Sequence, residues 1–252
     1  MIALTMIVNL IMMTVIMMIN NNILEKQPLK FRHELKYHIN QGEAMLLSAR
    51  LSKLFEHDKY ADSHGVYRVS SLYFDTPYDK ALKEKNDGLK DREKFRIRYY
   101  NDNTEFIKLE KKMKTRGLCG KRSAKLTILE VEKILKGETD FLLESQNPLL
   151  VEFYSKIKGQ QLKPKKIVEY EREAYIYKPG NVRITIDRNL STSTDPMGFL
   201  KKSGGRMNMS EGISVLEVKY DEFLPDVVKM AVQGIGRNSM SYSKYAMVRR
   251  YE

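Results

Sequence analysis

The sequence predicts an α+β fold, a largely antiparallel sheet with helices packed on its outside. Two observations carry this reading. Seven segments alternate polar and apolar residues with the two-residue period of a strand. The helical patterns between them are too irregularly placed to be the crossovers that a parallel sheet needs.

The first strand is expected over 30–39, where Arg32, Glu34 and Lys36 alternate with Phe31, Leu35 and Tyr37. A helix follows over 41–55, "QGEAMLLSARLSKLF", with apolar residues three and four apart after Asn40, a good N-cap. A strand over 66–75 and a short helix over 78–86 after Pro77 come next. Strands over 93–101 and 104–113 flank the polar Asn101-Asp102-Asn103 turn. The stretch 111–125, "KKMKTRGLCGKRSAK", reads either as a solvated loop or as a basic funnel that guides a polyanion. Helical patterns cover 125–135 and 138–158, the second broken near Asn147-Pro148. Strands over 167–177, 181–189 and 213–221 are separated by a polar loop, 191–212, and helices over 223–234 and 243–250 close the chain.

The 252 residues are 30% charged and 42% hydrophobic, a globular composition, and residues 25–252 read as one domain without linker or repeat. The formal charge of +12 and a pI near 9.5 imply an anionic partner wherever the charge is concentrated. A single cysteine, Cys119, excludes an internal disulfide and suits a reducing, cytoplasmic compartment. It sits among cations that would lower its pKa, but no histidine partner can be assigned to it. His33, His38, His57 and His64 have no zinc-site spacing.

Residues 1–24 stand apart. The stretch 2–19 is uncharged and almost wholly apolar at nearly the length of a membrane span, and six of the 14 methionines lie within residues 1–24. A membrane anchor and an over-extended start are both open readings. If it is an anchor, Lys26, Lys30 and Arg32 favour a cytoplasmic C-terminal domain and membrane contact through 2–19.

The strand faces carry the functional signal. In "FRIRYY" Arg96 and Arg98 oppose Phe95, Ile97 and Tyr99, and in the next strand Lys108, Glu110 and Lys112 oppose Ile107 and Leu109. Arg183, Thr185 and Asp187 oppose Val182, Ile184 and Ile186, and Glu217 and Lys219 oppose Leu216, Val218 and Tyr220. With Arg172 and with Arg32, Glu34 and Lys36 of the first strand, these polar faces hold nine cations and four carboxylates. One wetted sheet face would explain any single strand. Six alike, rich in the planar arginine fork that suits phosphate oxygens, point instead to an enclosed polyanion site.

The ordered set "FRHELKY", "YRVSSLYFDT", "FRIRYY", "FIKLEKK", "YEREAY", "VRITID", "LEVKY" and "SYSKYAMVRRY" resembles the VTC domain. That family makes polyphosphate and belongs with the CYTH proteins to the triphosphate tunnel metalloenzymes. The resemblance covers roughly 30–252. It implies a β-barrel tunnel with a charged interior, ATP and polyphosphate as partners, and Mn²⁺ or Mg²⁺ as cofactor. It places Lys36, Arg96, Arg98, Arg172 and Arg183 at the reacting phosphates. Arg32, Lys108, Lys112, Lys114, Lys121, Lys219 and Lys244 are expected to bind phosphate, and Glu217, Glu34 and Asp187 to bind metal. Where the superfamily has the first of two alternating glutamates this chain has Arg32, a change that suits long-chain phosphate over hydrolysis of a small triphosphate. The SPX domain and transmembrane helices of eukaryotic members are not read here, so their regulation and translocation are not expected.

The implied reaction is transfer of a nucleotide γ-phosphate to a growing polyphosphate chain. A metal-dependent triphosphatase and a non-enzymatic polyphosphate-binding domain are the alternatives. Specific nucleic-acid binding is not expected, because there is no tryptophan and no evident stacking platform.

Overall fold

Ten strands form one antiparallel sheet that curls until its ends meet. The computed structural model describes residues 29–62, 65–201, 205–209, 212–233 and 239–250; the apolar segment 1–24, with its anchor and over-extended-start readings, lies outside them. Among the described residues no helix is long and apolar enough to cross a membrane.

The strands are β1 (Phe31–Asn40), β2 (Glu56–His57), β3 (Val66–Asp75), β4 (Arg92–Tyr100), β5 (Asn103–Thr115), β6 (Leu118–Leu126), β7 (Lys163–Tyr177), β8 (Val182–Ser193), β9 (Met207–Asn208) and β10 (Ile213–Tyr220). Their order is β2-β7-β3-β4-β5-β6-β1-β10-β8-β9, and an additional β7–β8 pairing closes eight of them into a barrel. Closure comes through a long ladder, from Ile167↔Ser193 to Tyr177↔Val182. β2 and β9 extend β7 and β8 outside the ring.

Among the described residues there are six α-helices: α1 (Gln41–Leu54), α2 (Lys80–Asn86), α3 (Ile128–Lys136), α4 (Pro148–Gln160), α5 (Asp226–Val232) and α6 (Lys244–Val248). Their ends follow local chemistry. Asn40 and Glu43 form a capping box at the start of α1, and Thr127 and Glu130 form another at α3. Gly137, at φ 83°, takes the left-handed position that ends α3. Pro148 occupies the first turn of α4, where its missing N–H costs nothing.

The alternation expected from sequence is the alternation observed, with apolar residues on the outer face of the barrel. Phe95, Ile97, Tyr99, Ile107 and Leu109 bury against α3 and α4 in one cluster. Ile184, Ile186, Leu216 and Val218 bury against α1 and α5 in another. The core therefore lies between barrel and helices, and the polar faces turn inward. α6 is different: its Tyr245 and Val248 join a cluster with Tyr73, Val168 and Tyr170, from strand faces that point into the barrel.

Three segments differ from the sequence reading. The basic stretch 111–125, expected as a solvated loop or a basic funnel, is strand in the β5–β6 hairpin, turning on Arg116 (φ 47°) and Gly117 (φ 90°), with Lys121 and Arg122 bordering the wide cavity inside the barrel. Both turn residues are left-handed, as a tight two-residue hairpin demands, but without the Asn-Gly or Asp-Gly signature that would have announced it. The loop expected over 191–212 begins inside β8, and β9 lies within it. The helical pattern at 138–158 yields a short turn at Asp140–Leu142 and a helix only from Pro148.

Phe153 on α4 is fully buried against Phe74 and Phe95, with ring centroids 5.0 and 5.4 Å away. Phe153→Ala is expected to lower unfolding stability by about 3–5 kcal/mol in a denaturant titration, the range for a truncated core aromatic. A loss below about 1 kcal/mol would mean that the outer core is not packed as described.

Candidate functional site

The inward faces enclose a tunnel that is wide at one end and narrow at the other. A cavity of about 780 Å³ takes up the wide end, with Arg96, Arg98, Arg172, Arg183 and Lys219 on its wall. A cavity of about 90 Å³ takes up the narrow end, lined by Lys36, Lys94 and Lys114 among others. Glu34, Lys112 and Cys119 border both.

Register brings the charges together. Arg96 pairs across the ladder with Glu110, which accepts from its Nε at 2.7 Å and also takes Lys121 at 3.0 Å. The Nη1 of Arg96 donates to the Tyr73 hydroxyl at 3.0 Å. Arg172 sits opposite Asp187 and grips both its oxygens, at 2.6 and 2.8 Å, while Lys244 reaches the same carboxylate from α6. Arg183 donates to Asp58 at 2.6 Å. Arg98 is the contrast. It is 4% exposed and donates only to neutral oxygens, Ser71 Oγ at 2.8 Å and the Tyr170 hydroxyl at 3.0 Å.

Glu34 and Glu217 form the acidic centre. β1 and β10 set Lys36 opposite Glu217 and Glu34 opposite Lys219. Lys36 ion-pairs with Glu34 and lies 3.5 Å from Glu217; Lys219 lies 2.6 Å from Glu217, and Lys112 lies 3.6 Å from Glu34. Burial would raise both carboxyls, and each repels the other, yet Lys112, Lys36 and Lys219 hold Glu34 well below the usual carboxylate range. Glu217 is likewise held low against burial, by Lys219, Lys36 and Arg172. Its buried Oε1 accepts no well-formed hydrogen bond, although the Lys219 ammonium is near.

That under-satisfied oxygen bears on metal binding. A Mg²⁺-type site uses one or two carboxylates and completes its shell with water and substrate phosphate oxygens. Glu34 and Glu217 fit that demand. Among the described residues no three His, Cys, Asp or Glu side chains converge, so a metal cage built from protein alone is not seen. Asp187, expected as a third metal ligand, instead has both oxygens committed to Arg172 and Lys244.

The other expected phosphate ligands divide by position. Lys112 and Lys219 face the wide cavity, and Lys244 sits over the Tyr170 ring, 4.5 Å from its centroid. Lys121 borders the wide end but is tied to Glu110. Arg32 stands at the mouth, ion-paired to Asp221 at 2.9 Å and bonded to the Asn181 carbonyl. Lys108 keeps the inward parity but is exposed and borders neither cavity. Lys114 belongs to the narrow end. Cys119 also departs from expectation: burial and Glu34 push its thiol up, outweighing Lys112, Lys36 and Lys114.

Sequence reasoning missed Lys85, Arg92 and Lys94 and the tyrosines Tyr73 and Tyr170. Lys94 shares the parity of Arg96 and Arg98, so extending that alternation two residues back would have found it. The tyrosines read as apolar alternation, and only the register of β3 against β4 and β7 brings their hydroxyls to the arginines.

A closed antiparallel barrel with buried cations and paired glutamates inside is the architecture of the triphosphate tunnel metalloenzymes. The VTC domain family model matches residues 31–251, and the chain belongs to that family. Among solved structures it is similar to a putative adenylyl cyclase from Hippeastrum described as having a dominant triphosphatase activity (16% identity, 88% of this chain and 96% of that one, TM-score 0.54). A putative adenylate cyclase from Bacillus halodurans is 15% identical over 83% of this chain and 89% of that one, with a TM-score of 0.47. Among curated proteins no sequence matches the chain.

Asp187 makes the electrostatics testable. Burial would raise its carboxyl, but Arg172 and Lys244 pull it from 3.8 to about 2. A carboxyl lowered on folding adds stability above its unfolded value and loses it as pH falls through the folded one. The stability difference between wild type and Asp187→Asn should therefore be full near pH 6 and shrink as pH falls from about 4 towards 2, read by denaturant unfolding. A difference constant over that range would mean that Asp187 is not an ionised partner of Arg172.

Proposed function

We propose that the chain is a metal-dependent phosphotransferase that makes inorganic polyphosphate from the γ-phosphate of a nucleotide triphosphate. The observation that carries this is Arg98, a buried guanidinium on the wall of the wide cavity with no carboxylate partner among the described residues. A buried charge without a counter-charge is costly, and a bound phosphate supplies that counter-charge. Membership in the VTC domain family supports the choice of substrate, and the triphosphatase activity attributed to the Hippeastrum relative supports triphosphate chemistry in this fold.

In this reading the nucleotide enters the wide end, where Arg96, Arg98, Arg172 and Arg183 hold the phosphates in line, with Lys36 at the narrow end of that row. A terminal oxygen of the polyphosphate chain attacks the γ-phosphorus, the bond to the bridging oxygen breaks, and nucleoside diphosphate leaves with the electron pair. The acceptor oxygen is already anionic near neutral pH, so no protein base is required and positioning does most of the work. Glu34 and Glu217 would hold Mn²⁺ or Mg²⁺, which when bound neutralises charge on the transferring phosphates. Arg32, Lys112, Lys121, Lys219 and Lys244 contribute attraction for the polyanion.

The deciding assay incubates the purified chain with ATP and Mn²⁺ and separates long polyphosphate from free phosphate. Polymer is the expected product; free phosphate and ADP alone would replace this reading with a triphosphatase, and no turnover with intact polyphosphate binding would leave a binding domain. Arg98→Ala is expected to weaken nucleotide binding by about one to two orders of magnitude in calorimetry, the worth of a charge-assisted contact. Wild-type affinity in that variant would remove the role given to Arg98.

Glu217→Gln keeps the size of the side chain and removes its charge. It should abolish Mn²⁺-dependent turnover while polyphosphate still binds through the cations. Unchanged metal dependence would place the metal elsewhere.

A further inference from the structure

The narrow end holds cations for which the reaction above has no use. Lys85 from α2, Arg92 and Lys94 from β4, and Lys114 from β5 converge on the cavity of about 90 Å³, which Ser241, Tyr242 and Ser243 border from the C-terminal segment. Among the described residues none of the four ion-pairs with a carboxylate. Arg92 donates to the Leu89 carbonyl and Lys94 to Ser243 Oγ at 3.2 Å. The two carboxylates on the cavity wall are engaged elsewhere, Glu93 by Lys111 at 2.7 Å and Lys156 at 2.5 Å, and Glu34 by Lys36 and Lys112. At the wide end, by contrast, Arg96, Arg172, Arg183 and Lys219 are each matched.

We propose that this vestibule is a second anion site, separate from the nucleotide-facing cavity, built by Lys85, Arg92, Lys94 and Lys114 to hold a single phosphoryl-type tetrahedral oxyanion. Size limits the ligand: about 90 Å³ is far below the roughly 300–1,000 Å³ of ordinary small-molecule sites, so a nucleoside does not fit and one phosphate group does. Position keeps it distinct, because Lys94 and Arg98 lie towards opposite ends of the same strand and border different cavities. Electrostatics agree with the geometry. Burial, Lys112, Lys36 and Arg96 push Lys94 down to about 7 against the opposing influence of Tyr73. Burial, Arg92, Lys36 and Lys114 also lower Lys85. Cations driven towards neutrality by burial and by neighbouring cations are relieved by an anion placed among them. The groups facing Lys94 are Tyr73 from β3, Lys36 from β1, Lys112 from β5, Arg96 on its own strand and Ser243. The occupant is either free orthophosphate or one phosphoryl group of a chain lying in the tunnel.

The test titrates the full chain calorimetrically with sodium sulfate, a tetrahedral oxyanion whose charge is constant from pH 6 to 9. Sulfate affinity should fall about tenfold or more in Lys94→Met and in Lys85→Met, the loss of one charge-assisted contact, and change less than about twofold in Lys136→Met, an exposed lysine at the end of α3 that borders neither cavity. At pH 8 wild-type binding should take up protons, seen as a heat that depends on the buffer's ionisation enthalpy, and Lys94→Met should lose that dependence. Lys94→Met removes an uncompensated cation, so it should melt no lower than wild type, which separates lost binding from lost folding. Displacement of sulfate by orthophosphate would identify the free ion as occupant, and displacement by polyphosphate alone would identify the chain. Wild-type sulfate affinity in both Lys94→Met and Lys85→Met, or an equal loss in Lys136→Met, would overturn the site. A chain that makes no polymer but keeps these sulfate results would defeat only the phosphotransferase reading.

Discussion

The burial of cations inside a closed barrel is the constraint on which the rest of the structure depends. An unpaired charge removed from water is expensive, and a buried pair is tolerated only with good geometry and further hydrogen bonds. Arg96 with Glu110 and Arg172 with Asp187 meet that condition because antiparallel register puts them directly opposite. Glu34 and Glu217 meet it in reverse, as acids surrounded by lysines. With the inside of the barrel committed to charge, its apolar faces must point outward, and water must be kept from them. The helices answer that need: α3 and α4 cover one side, and α1 and α5 another. The hydrophobic core is thus displaced to the periphery, and its stability underwrites an interior that contributes little of its own.

Compensation is uneven along the tunnel, and that unevenness gives it direction. The wide end is rich in matched pairs, Arg98 is satisfied by neutral hydroxyls, and the narrow end has cations in excess. Walls of low dielectric strengthen such a field and concentrate anions within it. A polyanion entering at the wide mouth therefore meets a potential that becomes more attractive inward. Tyr170 only accepts a hydrogen bond from Arg98, whereas at Tyr73 burial is outweighed by the neighbouring Arg96, Lys94 and Arg98, which pull the phenol down to about 6, so that it tempers Arg96 with anionic character.

How much of this was legible in the sequence follows from what alternation can and cannot encode. The inward set on β1, β4, β5, β8 and β10 was readable residue by residue, because period two fixes relative faces whatever the sheet later does. Closure was not, since the β7–β8 ladder and the β1–β6 contact join segments that no local pattern links. β6 was hidden because Gly120 and Arg122 stand at its outward positions where an apolar residue would have marked a strand. The acidity of Cys119 was misjudged for a related reason: neighbouring cations are visible in sequence, and the burial that outweighs them is not. Asp187 looked like a metal ligand until register showed Arg172 holding it.

The difference in width between the two ends constrains any group transfer in the tunnel. A nucleoside diphosphate released near Arg98 is too large for the narrow cavity and must leave through the mouth by which the nucleotide came. A phosphate chain has no such restriction, being one phosphoryl group wide along its length. Donor and polymer can then approach the reacting phosphorus from opposite sides, the in-line arrangement that phosphoryl transfer requires. A hydrolase has no need of this, because water reaches the phosphorus from any side that is wet. On the proposed reading, what would favour a chain as acceptor is accordingly a property of the whole tunnel, since the crowded cations at the narrow end would hold a polymer on the side of the donor opposite the wide-end arginines.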